Sequence, residues 1–216
     1  MQRRYYILAG VCVVAALLVT QRTLSPTIIS SAPGLAAEFT ALGAAPAAQN
    51  KVPDAPAHAS KPGTSVVGPP SVSPALIDAV LAEYNSPAAG KGNVIHNLGV
   101  QYGIDPAFLL AFFIHESSAG THPRWAGHKA DGTTTHNIGN IVCTTGWRCY
   151  GRFRDYATWD EGIEDWYKLI HDLYVGEWNR TTLEEIIPKY APASDNNNEA
   201  RYIAQVRTLV EGWRGK

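Results

Sequence analysis

The sequence predicts an α+β, mostly α fold: a helical domain with a small β-hairpin lobe. Three observations carry that prediction. Apolar residues recur at helical spacing through most of residues 71–216. One stretch, Ala107 to Ile114, is apolar on every side, the mark of a buried central helix. Between Thr121 and Arg154, by contrast, Gly, Thr, Asn and Cys break the pattern into short runs that suit loops and a hairpin.

Each element has its own signals. Ser73 is an N-cap with Pro74 at the first helical position, and Leu76, Ile77, Val80, Leu81 and Tyr84 follow on one face. Asn85-Ser86-Pro87 ends that helix. A second helix is expected from Asn93 to Tyr102, with Gly103 as its stop. Asp105-Pro106 repeats the cap and opens the apolar helix, which ends in His115-Glu116-Ser117-Ser118-Ala119-Gly120. The runs Ile141-Val142 and Tyr150-Gly151-Arg152-Phe153 supply the hairpin. Thr158 with Glu161 forms a capping box ahead of Ile163, Trp166, Leu169, Ile170 and Leu173. Thr182 with Glu185 starts a short helix expected to end at Pro188. Ser194 to Asn196 is the expected cap of a last helix carrying Tyr202, Val206, Val210 and Trp213.

The chain before this domain differs in kind. Arg3 and Arg4 precede an apolar run from Tyr5 to Val19, the pattern of an export signal. The run is a little short for a spanning helix, which needs roughly 17–25 residues. No good small-x-small cleavage site follows at once. Residues 1–22 are therefore read as a signal-anchor, a single transmembrane segment that leaves the rest of the chain extracytoplasmic, the alternative being cleavage at the weaker, later sites from Ala32 to Ala37 and secretion. Val11 puts Cys12 out of register for lipidation. Nine of the 14 prolines fall at or before Pro74, and few large apolar residues occur before it. Residues 23–70 are thus expected to be an Ala/Pro-rich disordered linker, with residues 71–216 as the folded domain.

The net charge of −1 and the lack of a basic stripe exclude a nucleic-acid partner. Cys143 and Cys149, six residues apart, are expected to form a disulfide outside the cell. The rival, a metal site with His128 or His136, lacks paired-ligand spacing. No metal or cofactor is implied, and the chain is taken as a monomer.

Glu116 carries the chemistry. It follows an apolar helix directly, where the core meets a polar loop. Partial burial and the negative end of the helix dipole both disfavour its anion. A carboxyl kept protonated near neutral pH can protonate a leaving sugar oxygen. His115-Glu116 also begins a zinc-protease pattern, but the position of its second His is Ala119. The remaining histidines are expected to bond loops or line the cleft.

Tyr102-Gly103-Ile104-Asp105-Pro106, the apolar helix, and Glu116-Ser117-Ser118-Ala119-Gly120-Thr121 together resemble the glucosaminidase family, the endo-β-N-acetylglucosaminidase domains of bacterial autolysins and the flagellar muramidase. Asn137-Ile138-Gly139-Asn140-Ile141, Phe153-Arg154-Asp155-Tyr156 and Tyr190-Ala191-Pro192 with Tyr202-Ile203 are similar to later segments of that family, in the same order. The resemblance covers about Ser73 to Trp213. It implies a lysozyme-like fold and hydrolysis of the β-1,4 bond after N-acetylglucosamine in peptidoglycan. It also implies Glu116 as general acid, Tyr190 as a catalytic tyrosine across the cleft, and substrate contacts from Asn137, Asn140, Tyr156 and Tyr202. For Tyr190 the alternative is a core residue, and for the two asparagines it is ties to the loop backbone.

One departure bears on mechanism. Some family members have a second acid on the hairpin, but no Asp or Glu lies between Gly132 and Arg154 here. Asp155 and Asp131 are the nearest candidates. A route through the substrate's own 2-acetamido group is expected instead of a two-carboxylate inverting one. A lytic transglycosylase, or a wall-binding module without catalysis, are the other readings of the same residues.

Overall fold

Ser73 Oγ accepts the Leu76 amide at 3.2 Å and opens α1 (Pro74–Glu83). In the structure, a computed structural model, residues 63–214 and 216 are described. The expected signal-anchor and most of the expected linker lie outside the described residues. Among the described residues no helix is long and apolar enough to cross a membrane.

α2 (Gly92–Tyr102) stops at Gly103, whose φ of 64° is the left-handed geometry glycine permits. Asp105 caps α3 (Pro106–Ser117) by accepting the Ala107 amide at 3.1 Å. Every residue of α3 from Pro106 to Ile114 is buried. Each Phe so placed contributes about 1.5–3 kcal/mol of apolar burial. α3 packs on α2 and α6.

The lobe after α3 has little regular structure. β1 (Cys149–Tyr150) and β2 (Phe153–Arg154) pair antiparallel, Cys149 with Arg154 and Tyr150 with Phe153. Gly151, at φ 57°, supplies the positive dihedral that a two-residue hairpin loop requires. Val142 bridges Phe153 from the other side, and the Cys143–Cys149 disulfide joins the two arms.

Thr158 Oγ1 accepts the Glu161 amide to open α4 (Trp159–Lys168), which runs directly into a π-helical stretch, Leu169–Glu177. α5 (Leu183–Tyr190) starts from the expected Thr182–Glu185 capping box. It does not end at Pro188. The turn beyond Pro188 closes through the Ala191 amide on the Ile187 carbonyl at 2.8 Å, so the missing N–H removes one bond and leaves the helix intact. The cap of α6 (Glu199–Trp213) is Asn198, which accepts the Arg201 amide at 2.9 Å. Ala193–Asp195 forms a separate 3₁₀ turn.

The folded chain also begins before residue 71. Val66 is buried, and its amide donates to the Thr181 carbonyl at 2.9 Å while its carbonyl accepts from Asp105 at 3.0 Å. Ser65 bridges Thr182 and Val67 bridges Ile104. Two-residue pairings of this sort leave no periodicity in the sequence.

Candidate active site

Glu116 sits in the last turn of α3 and is partly exposed. The chain then turns away sharply, because Ser118, Ala119 and Gly120 all have positive φ. Two non-glycine residues in the left-handed region are costly. They are held in place by Ser117 Oγ, which accepts the Gly120 amide at 2.9 Å, and by Ser86 Oγ, which donates to the Ala119 carbonyl at 2.7 Å. The tight turn leaves the Glu116 carboxylate standing at the helix end.

Each carboxylate oxygen of Glu116 meets a donor. Tyr202 Oη donates to Oε1 at 2.6 Å, and Asn140 Nδ2 donates to Oε2 at 2.8 Å. The Asn140 amide cannot be reversed. Its Oδ1 accepts from Trp125 Nε1 at 2.8 Å, and an indole N–H only donates. Trp125, Asn140 and Glu116 thus form one oriented chain from the loop lobe to the helix. On the other side the His115 ring stacks on Tyr202 at 3.6 Å. Burial lowers His115 to about 4; a hydrogen bond with Gln205 opposes this, and the Arg201 charge adds to it. His115 is therefore neutral at pH 7 and adds no charge beside the carboxylate.

The expected site residues separate into two groups. Glu116, Asn140 and Tyr202 come together. Tyr202 is buried, and its hydroxyl meets Glu116, so it orients the carboxylate where the sequence expected a substrate contact. Tyr190 is not placed as the expected catalytic tyrosine. It is 5% exposed, and its hydroxyl donates to the Gly139 carbonyl at 2.5 Å. Burial, then the nearby Glu116 charge, pushes that phenol well above its ordinary range. A Cβ at Gly139 would collide with the Tyr190 hydroxyl and the Trp166 ring, so glycine there permits the close approach.

Asn137 and Tyr156 also serve the framework in place of substrate. Asn137 Nδ2 donates to the carbonyls of Ile141 at 2.9 Å and Arg154 at 3.0 Å, and its Oδ1 accepts the Ile141 amide at 2.8 Å. Tyr156 Oη donates to Asp165, which also pairs with Arg154 at 2.6 Å. Of the candidate second acids, Asp155 is held by Lys129 at 2.5 Å and Arg148 at 3.0 Å. Asp131 accepts the amide and hydroxyl of Thr133 and closes its own exposed turn. Among the described residues no three His, Cys, Asp or Glu side chains cluster to hold a metal. His128 bonds the His122 carbonyl, and His136 bonds that of Tyr156. Trp125 was missed in the sequence; its only signal was an isolated aromatic in a polar loop.

The fold is α+β and mostly α, and solved structures share it. It is similar to Staphylococcus aureus autolysin E in complex with the muropeptide NAM-L-Ala-D-iGlu, at TM-score 0.54 and 16% identity over 69% of this chain and 69% of that chain. It is equally similar to a catalytic glutamate-to-alanine mutant of that autolysin in complex with the disaccharide NAG-NAM, at TM-score 0.53, 16% identity and the same coverage. No protein-family profile matches the sequence, and no curated protein matches it.

Proposed function

We propose that this chain is a peptidoglycan hydrolase that cuts the β-1,4 bond after N-acetylglucosamine, with Glu116 as general acid. One observation carries the reading. The carboxyl of Glu116 stands at the end of a buried helix with both oxygens oriented, by Tyr202 at 2.6 Å and Asn140 at 2.8 Å, on a fold shared with an autolysin solved with muropeptide and with disaccharide.

In this reading Glu116 gives its proton to the leaving glycosidic oxygen. The acetamido oxygen of the same sugar attacks the anomeric carbon from the opposite face. Water then opens the resulting ring and returns its proton to Glu116. Donors on both carboxylate oxygens fix the plane in which the acid meets the sugar, which is positioning of the kind that raises turnover. The domain works outside the membrane, held there by residues 1–22, and its disulfide suits an oxidising compartment.

A second reading, a lytic transglycosylase on the same glycan, is favoured by the ion pairs that occupy Asp155. Such an enzyme needs no residue to activate water. The full chain incubated with purified peptidoglycan, beside Glu116→Gln, separates the readings by mass spectrometry of the new sugar ends. Reducing N-acetylglucosamine ends from the parent alone support the hydrolase. Anhydro ends move the chain to the transglycosylases. Binding without cleavage by either protein leaves a wall-attachment module.

A further inference from the structure

A cavity of about 410 Å³ is lined by Arg154 of the hairpin and by one face of α4 and its π-helical extension. Glu116 does not line it. The hairpin is nonetheless a wall common to both places. Arg154 lines the cavity, and its carbonyl is held by Asn137, whose loop carries Asn140 to Glu116.

The cavity has a built floor. Arg154 is 3% exposed, paired with Asp165 at 2.6 Å and stacked 4.1 Å from the Trp147 ring, and its buried Nε has no partner. Nothing in the chemistry at Glu116 uses this buried cation. Charge on the walls is uneven. Arg154 cancels Asp165, and Lys168 cancels Glu164 at 2.6 Å. Two carboxylates remain, Glu161 and Asp172. Among the described residues neither has a Lys or Arg partner; Glu161 accepts the Ala157 amide at 2.8 Å at the start of α4, and Asp172 has the His171 ring at 2.7 Å. Leu169 and Leu173 add an apolar strip, and Trp147, 37% exposed, an aromatic edge.

An apolar strip flanked by carboxylates that lack a Lys or Arg partner suits an alkyl chain ending in an ammonium. The fixed Arg154 cation repels that ammonium from the floor and leaves the carbonyl oxygens of the same ligand to face it. We propose that this cavity recognises the amine-bearing diamino-acid side chain of a peptide attached to the glycan. The proposal rests on the reading of the substrate as peptidoglycan.

The experiment uses the full chain and E161Q/D172N, two surface changes away from Glu116. Three soluble substrates are compared: peptide-free glycan strands, strands bearing a stem peptide with a free side-chain amine, and the same strands with that amine acetylated. Acetylation is expected to lower kcat/KM of the parent about fivefold, the effect of a partly exposed ion pair. The double variant is expected to turn over both peptide-bearing substrates at the lower rate and the peptide-free strands at the parent's rate. Equal rates on the two peptide-bearing substrates by the parent, or discrimination retained by the variant, overturn the site and leave the hydrolase intact. If no strand of any kind is cleaved, the reading of function has failed, and calorimetry with the stem peptide alone decides the cavity. Binding about fivefold weaker after acetylation sustains it, and equal or absent binding overturns it.

Discussion

The two sides of the Glu116 site are held by different physics. On one side α3 and α6 are joined by apolar burial, with Phe112 packed 5.4 Å from Tyr202 and 5.2 Å from Trp166. On the other, the lobe from Thr121 to Arg154 has two short strands and is fixed by polar ties: Asn137 on three backbone groups, Arg154 with Asp165 and Tyr156, and one disulfide. The helices bring the Glu116 carboxyl and Tyr202. The lobe brings Asn140 and depends on buried polar groups to do so. Changes on the helical side near Glu116 should therefore alter turnover more than stability, and changes among the lobe's polar ties the reverse.

The largest effect sharpens the helical half of that contrast. Glu116→Gln keeps the shape and removes the acid, so release of sugar ends is expected to fall about 10³-fold or more, with an unchanged urea midpoint. Asp165→Ala tests the lobe. It leaves Arg154 buried and unpaired and is expected to cost about 3–5 kcal/mol of stability, measured by denaturant unfolding. His115 gives a pH signature confined to the helices. Its folded value is lowered to about 4 from an ordinary 6.5, so the unfolded chain takes up the proton first as pH falls. Stability is full above about pH 6.5, is lost progressively toward pH 4, and amounts to about 3 kcal/mol in all. His115→Gln should flatten that slope in unfolding measured at several pH values. Asn137→Ala removes three hydrogen bonds, to the Ile141 amide, the Arg154 carbonyl and the Ile141 carbonyl, of which only the last keeps another partner, the Arg154 amide. It is expected to cost about 2–3 kcal/mol. A larger loss in kcat than in stability for that variant would break the comparison. The smallest effect is Tyr202→Phe, about tenfold in kcat, for one hydrogen bond to a charged group, with its packing on His115 retained.

The helices were legible because caps and apolar spacing are local. Ser73, Asp105, Thr158 and Thr182 all act where the sequence put them. Glu116 stood out for the same reason, at the junction of an apolar helix and a polar loop. The roles of Tyr190 and Tyr202 were not separable. Both occupy buried helical positions, and which hydroxyl reaches Glu116 is decided by how α5 and α6 pack. Asn137 and Asn140 were equally alike in sequence. Asn140, with a left-handed backbone at φ 47°, has its amide on Glu116, while that of Asn137 ties Ile141 to Arg154 of the hairpin. The floor of the cavity was invisible, because Arg154, Tyr156 and Asp165 meet only through tertiary packing.

The pairing of residues 64–67 has a mechanical meaning. Thr64 donates to Glu184 at 2.8 Å and accepts the Leu183 amide at 3.0 Å, while Val66 joins Thr181 and Asp105. The segment is thus stitched both to the loop that starts α3 and to the start of α5. Tension on the chain ahead of residue 63 would load these bonds and reach the two ends of the domain together, before any helix of the core is pulled. The seam is thus where a pull on the leading end of the domain would be taken up first, and a fragment trimmed at residue 71 would lack it.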